Sequence, residues 1–321
     1  MVCYLWVFDV LTMGRIGVDV YPLEVGRSLR YVTSFGKYLG GSPTNVAVAA
    51  ARYGRRSAVI TRTGNDPFGL FLHDALIGFG VDDRYVTAVE GLPTPVTFCE
   101  MFPPDDFPLY FYRLPKAPDL EIRSSELDYE AIRSARVFWV TVTGLCAEPS
   151  RSATLAALQC RTPGSLTVLD LDYRAMFWSS RREARRWVSD ALAYASVAVG
   201  NIDECDTAVG EVDPVRAIGA LHAAGVEFAV IKKGPAGVTA SRGGVLVDVP
   251  AAPTVVLNGL GAGDAFGGAL CHGLLGGWDL QRVIRFCNAA GAIVASRMTC
   301  SNAMPSEAEV EEKMLEEPNV R

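Results

Sequence analysis

The segment Asn258-Gly259-Leu260-Gly261-Ala262-Gly263-Asp264-Ala265-Phe266 sets three glycines at alternate positions and then a carboxylate. Glycines at this spacing let the backbone turn tightly and leave its N–H groups uncovered. Phe266, Leu270 and Leu274 recur at i, i+4 and i+8, the core-facing stripe of a helix that begins here. Uncovered N–H groups with a helix dipole behind them favour an anion. Asp264 stands at the helix start, placed to accept the proton of an attacking hydroxyl. The backbone of Gly261, Ala262 and Gly263 would hold the charge of a transferring phosphoryl group. A glycine turn with Asp264 as a simple helix cap fits the same residues. No Gly-Lys-Ser/Thr follows, so this is not a Walker loop, and neither spacing nor position suits a dinucleotide fingerprint.

Three further stretches carry chemistry at the starts of helices or the ends of strands. In Gly40-Gly41-Ser42-Pro43-Thr44-Asn45, Ser42 reads as an N-cap and Pro43 as the first helical residue. The paired glycines allow a ligand close to the backbone, and Asn45 in the first turn reaches towards it. Asn201 and Glu204 have capping-box spacing. Asp170, Asp172 and Arg174 lie just past a strand, where ligands of open α/β sheets bind, although a solvated arginine fits Arg174 equally well.

The elements that must position these residues alternate. Near-continuous apolar runs predict strands at Asp9–Met13, Ser57–Thr61, Val137–Val142, Leu166–Leu171, Ser196–Val199 and Phe228–Lys232. Helical patterns cover Pro43–Tyr53, Gly69–Phe79, Ser150–Gln159, Arg181–Tyr194 and Pro214–Ala223. This order predicts a mostly parallel sheet covered by helices on both faces, an α/β fold. Gly17–Leu39 reads as extended, and Pro93–Tyr112 as two strands, Val96–Phe102 and Leu109–Arg113, about a turn. These segments either form a small projecting sheet or extend the central one.

The 321 residues suffice for one large α/β domain or two small ones. The net charge of -6 argues against nucleic acid as the main partner. Eight cysteines without a CxxC pair and three scattered histidines argue for buried free thiols and against zinc. Met1–Val7 is apolar but short and lacks a basic n-region, and no apolar run reaches membrane length. The expectation is a cytoplasmic protein with no membrane partner.

Gly261-Ala262-Gly263-Asp264 resembles the anion-hole motif of the ribokinase-like (PfkB) carbohydrate kinases and stands at that family's usual place late in the chain. The resemblance implies one three-layer kinase domain over 1–321, with a small β-sheet lid made by about 15–39 and 93–115. It implies ATP and Mg2+ as cofactors and Asp264 as the catalytic base. The family's sugar-binding stretch is matched at Gly40, Gly41, Asn45 and Ala47, and its sugar-binding aspartate at Asp19. Asn201 and Glu204 match a motif that organises Mg2+ and phosphates, Glu204 acting through water. Lys232, Gly234 and Gly237 match a nucleotide loop, and Asn288 a helix bordering the adenine. Arg174 is retained from a motif in which Asp172 replaces the usual asparagine. Relatives often carry Asp-Thr where Asn258 and Gly259 stand, so use of a monovalent cation stays open.

Several segments, among them Gly14–Pro22, Phe35–Gly41 and Asp105–Arg113, are closer to the branch of that family that phosphorylates 5-dehydro-2-deoxy-D-gluconate at its 6-hydroxyl in myo-inositol catabolism. A carboxylate substrate needs a cation, and Arg113 with Tyr112 resembles the carboxylate-binding part of 2-keto-3-deoxygluconate kinases; Lys37 precedes the Gly-Gly turn. An arginine decorating a sheet edge fits Arg113 equally well. The alternatives are a kinase for 2-keto-3-deoxygluconate, fructose or ribose, or a silent sugar-binding protein. A homodimer through the lid is a further expectation.

Overall fold

The computed structural model describes residues 8–316, so Cys3 and the Met1–Val7 segment weighed above as a leader lie outside it. β1 (Val10–Met13) is wholly buried and opens the main sheet. The chain then leaves that sheet for β2 (Gly17–Pro22) and β3 (Phe35–Gly40), an antiparallel pair. It returns through α1 (Ser42–Arg52) to β4 (Ser57–Gly64), which pairs parallel with β1. α2 (Pro67–Gly78), capped by Asp66 on the Gly69 N–H, leads to the short strands β5 (Val81–Asp82) and β6 (Val86–Val89) beside β4. β7 (Val96–Cys99) and β8 (Leu109–Tyr112) go back to join β2.

Strand and helix then alternate through α3 (Tyr129–Ser134), β9 (Val137–Thr141), α4 (Ser150–Gln159), β10 (Leu166–Asp170), α5 (Arg181–Leu192), β11 (Val197–Asn201), α6 (Ile202–Val209), α7 (Pro214–Ala223) and β12 (Phe228–Lys232). A hairpin of β13 (Val238–Arg242) and β14 (Val245–Val249) follows, absent from the sequence expectations. Its turn is Gly243-Gly244 with φ of 57° and 79°, the positive pair that a two-residue hairpin turn requires. α8 (Ala262–Leu275), α9 (Leu280–Ala295) and α10 (Glu307–Leu315) complete the chain.

The main sheet runs β14-β13-β12-β11-β10-β9-β1-β4-β5, with β6 also on β4, and is parallel from β12 to β5. Successive strand residues enter opposite layers. Val137 and Trp139 pack with α1, α8 and α9 on one face, while Phe138 and Val140 pack with α3, α4 and α5 on the other. That is the expected three-layer α/β arrangement. The open question about 93–112 resolves in favour of a separate sheet, ordered β3-β2-β7-β8.

One buried cation belongs to the scaffold alone. Arg161 donates to the carbonyls of Ile132, Arg133, Ala135 and Leu166 and to Thr167 Oγ1, at 2.6–3.1 Å. It thereby satisfies carbonyls at the C-terminal end of α3 that no helix turn can reach. Burial lowers its pKa to about 10.

Candidate active site

A cavity of about 270 Å³ lies between the carboxyl ends of the main parallel strands and the small sheet. From the small sheet come Asp19 and Tyr21 of β2, Thr97 of β7, and Leu109 and Phe111 of β8. Asp19 and Tyr21 are two apart on one strand and so share its face. From the main domain come Asp170 ending β10, Asp172 and Arg174 just after it, Asn201 and Glu204 at the start of α6, Lys232 ending β12, and the 259–264 turn.

The Gly-Gly corner is shaped by the protein's own groups. A Cβ on Gly40 would stand 2.2 Å from Asp19 Cγ, and one on Gly41, with φ 107°, would stand 2.4 Å from the Arg15 carbonyl. Side chains there would displace the carboxylate that faces the cavity. Gly41, not Ser42, is the N-cap of α1, with Ser42 as its first residue. The reason is that the Ser42 hydroxyl points away from the helix N–H groups, towards Asp170 Oδ2 at 3.5 Å.

Asn45 links the two glycine motifs. Its Nδ2 donates to Asp264 Oδ2 at 2.7 Å, while its Oδ1 accepts from the Ser301 hydroxyl at 2.6 Å. Only the amide's N–H face can meet a carboxylate, so Asp264 sets its orientation and the Ser301 hydroxyl, which also reaches the Leu39 carbonyl at 2.9 Å, meets its oxygen. Asp264 is not the helix cap. Gly261 is, in a left-handed conformation and without a side-chain cap bond, so the first N–H groups of α8 are left for a ligand. Lys232 Nζ lies 3.3 Å from where a Gly263 Cβ would sit, which puts an ammonium over that first turn.

The charges are tightly grouped. Burial raises Asp264, against the lowering effect of the hydrogen bond from Asn45. Burial also pushes Asp19 up to about 6, opposed by Arg15 and by the Tyr21 hydroxyl that donates to it at 3.2 Å. Asp170 and Glu204 are raised by burial and partly restrained by Lys232. Burial would lower Lys232, but Asp170, Glu204 and Asp264 outweigh it and hold the ammonium charged. Burial works against the Asp172 carboxylate as well, yet Arg174 at 2.7 Å and Arg15 at 3.5 Å keep it low and ionised.

Asn201 and Glu204 form the anticipated capping box, Glu204 Oε2 accepting from the Asn201 N–H at 2.7 Å. Both also face the cavity, so a cap and a cavity wall are the same residues. This donor set suits a hydrated divalent cation with phosphates. Carboxylates of Glu204 and Asp170 stand beside an ammonium and an uncapped helix N-terminus, hard oxygens next to an anion site.

Other expected residues lie elsewhere. Gly234, Gly237 and Asn288 are outside the cavity, and Gly237 and Asn288 gather around Val249 and Pro250. A Gly237 Cβ would meet the Val249 carbonyl at 2.1 Å, and Asn288 Nδ2 donates to the Pro250 carbonyl at 2.8 Å. Tyr112 and Arg113 do not line the cavity either. Along β8, Leu109 and Phe111 face inwards, so Tyr112 faces outwards and is 65% exposed. Arg113 pairs with Asp119 at 2.7 Å and stacks on Phe177. Lys37 lies on the Phe71 ring, 4.1 Å from its centre. The cation that sequence reasoning missed is Arg15, two residues beyond β1. Asn258 is fully buried, its Nδ2 donating to the Met298 carbonyl at 2.7 Å and its Oδ1 accepting from the Leu260 N–H at 3.0 Å.

An open helix N-terminus, a buried carboxylate and a basic residue over the same turn define a phosphotransferase site on this fold. The description "pfkB family carbohydrate kinase" matches residues 7–307, and the chain belongs to that family. More particularly, it is similar to the 5-dehydro-2-deoxygluconokinase of Shouchella clausii (strain KSM-K16), with 34% identity over 328 residues, 98% of this chain and 97% of that protein. The protein of the same name from Clostridium tetani (strain Massachusetts / E88) is 31% identical over 316 residues, 96% and 93% of the two chains. Among solved structures, an E. coli protein assigned as a ribokinase II, in complex with ATP and Mg2+, superposes with a TM-score of 0.87 at 22% identity. The match covers 97% of this chain and 100% of that one. No helix among the described residues is long and apolar enough to cross a membrane.

Proposed function

We propose that the chain transfers the terminal phosphoryl group of ATP to the 6-hydroxyl of 5-dehydro-2-deoxy-D-gluconate. The carrying observation is the Asn45–Asp264 contact beside the uncapped start of α8 and under Lys232. Mg2+, held through water by Glu204, would supply charge neutralisation between the phosphates. Asp264 accepts the proton of the attacking hydroxyl, and its raised basicity suits that task. The hydroxyl oxygen bonds to phosphorus, the bond to the ADP oxygen breaks, and ADP leaves. The N–H groups of 261–264 and Lys232 bind the phosphoryl oxygens. Asp19, Asn45 and the Gly40-Gly41 corner bind the sugar's hydroxyls. The nucleotide extends from Lys232 past Gly234 and Gly237 towards Asn288.

The small sheet acts as a lid. It supplies one wall of the cavity through β2, β7 and β8, so closing it excludes water and suppresses ATP hydrolysis. Its outer face carries Phe35, Phe98 and Tyr112 in edge-to-face contact, with Tyr110 and Tyr112 exposed. That face pairs with a second copy of the chain; a strictly monomeric mass in sedimentation equilibrium would reject this.

The deciding experiment measures ADP release with Mg-ATP across 5-dehydro-2-deoxygluconate, 2-keto-3-deoxygluconate, fructose and ribose. Selective turnover of the first is expected. Preference for another member would replace the substrate and keep the kinase; binding without turnover of any would remove the kinase.

A further inference from the structure

We propose that Arg15 is the residue that receives the carboxylate of a sugar-acid substrate and so sets the enzyme's preference for acids over neutral sugars. The proposal rests on the phosphotransferase reading above and assigns its acceptor's chemical class.

Arg15, Arg174 and Lys232 are the cations lining the cavity. Lys232 is taken up by the start of α8 and by the acids around Glu204. Arg174 is locked to Asp172 Oδ1 at 2.7 Å. Arg15 is held more loosely. Its Nη2 is 3.5 Å from Asp172 Oδ2, and its Nε, like that of Arg174, is buried without a hydrogen-bond partner, so the longer contact to Asp172 is what sets Arg15 apart. A guanidinium offers parallel N–H groups along one edge, and an unused buried donor needs an acceptor. A carboxylate entering beside Arg15 would offer such an acceptor to the guanidinium that lines the cavity.

Three neighbours prepare the group for that role. Asp172 anchors one end from the main sheet. The Phe111 ring of β8 lies 5.8 Å from the guanidinium carbon and supports it from the small sheet. The Arg15 carbonyl accepts from the Thr44 hydroxyl at 3.2 Å, tying its backbone to the first turn of the helix that carries Asn45. Arg15 is also near enough to Asp19 to oppose the rise of its carboxyl, which puts the guanidinium among the residues matched to the sugar.

The test compares kcat/KM for 5-dehydro-2-deoxygluconate with that for its analogue bearing a C1 alcohol in place of the carboxylate. In Arg15→Gln the ratio of acid to alcohol should fall by roughly 30- to 100-fold, the worth of a charge-assisted pair, chiefly through KM. Arg15→Lys should recover part of it, since charge remains but the two-pronged geometry is lost. An unchanged ratio in Arg15→Gln, whatever the absolute loss of activity, overturns the proposal, because a purely structural defect lowers both substrates alike. Thermal melts and ATP titration establish that each variant is folded. If the wild type prefers a different sugar acid, the same comparison is made on that acid and its alcohol; the named substrate falls and the Arg15 assignment is judged separately. A wild type that prefers neutral sugars overturns both.

Discussion

Asn45 and Asp264 stand 219 positions apart in the chain and 2.7 Å apart in the site. The amide does two things for the carboxylate: it fixes which oxygen faces the cavity, and it restrains the rise in basicity that burial causes. Asn45→Ala should therefore lower kcat by roughly 10- to 100-fold, the range for losing a hydrogen bond to a charged group. It should also move the acid limb of the kcat profile to higher pH, because a stabiliser of the charged form is gone. A pH-rate series on both enzymes checks this, and an unshifted limb would detach Asn45 from the base.

Asp264→Asn removes the proton acceptor while keeping size and hydrogen-bonding capacity. Turnover should drop by roughly 10²- to 10⁴-fold, the usual worth of a general base, with ATP affinity preserved. Initial rates by coupled ADP assay, alongside a calorimetric ATP titration, measure both quantities. Near-normal turnover would end the role of Asp264 as base.

Asp19 titrates at about 6 because burial disfavours its charge. Its task of accepting sugar hydroxyls needs the carboxylate form, so KM for the sugar should rise as pH falls below about 6, with KM for ATP unchanged. The stability sign runs the other way. The folded state holds this proton more tightly than the unfolded chain, whose value is near 3.8, so protonating Asp19 stabilises the fold between these two values. The acid loss is thus one of binding, not of unfolding. Asp19→Asn should weaken sugar binding at every pH and flatten the dependence.

Arg161 offers a test of the scaffold away from the site. Arg161→Met would strand the α3 carbonyls that the guanidinium now satisfies. The expected cost is about 2–5 kcal/mol of stability, read as a lower urea midpoint. Arg161→Lys keeps the charge and only part of the donor fork, and should fall between the two. A midpoint unchanged in Arg161→Met would show that water replaces the bonds.

The parallel core was legible because strands covered on both faces read as unbroken apolar runs, and Phe228–Lys232, Ser150–Gln159 and Pro214–Ala223 have the bounds that their residues suggest. The glycine turn before Asp264 was legible because its demands are local. The hairpin of β13 and β14 was missed because it lies at a sheet edge, where the apolar run Val245-Leu246-Val247 is short, exposed at its first two residues and followed by Asp248. Its signal was the Gly243-Gly244 pair. Ser42 looked like a cap because type and position agreed, but a tertiary neighbour, Asp170, claimed its hydroxyl. The choice between Arg15 and Arg113 was not legible at all. It depends on Asp172 and Phe111 on one side and Asp119 on the other, partners that only folding brings near. The available clue was that Arg15 follows the carboxyl end of the first parallel strand.

The hydrogen bond from Ser301 to Asn45 has a consequence for biosynthesis. A ribosome delivers Ser301 256 residues after Asn45, so α1 leaves the exit tunnel long before the hydroxyl beside its amide exists. A nascent chain stopped short of residue 301 holds both glycine motifs and Asp264, yet lacks the hydroxyl that meets the amide oxygen. The hydrogen bonding of the α1 amide is thus completed by a segment 256 positions further along the chain.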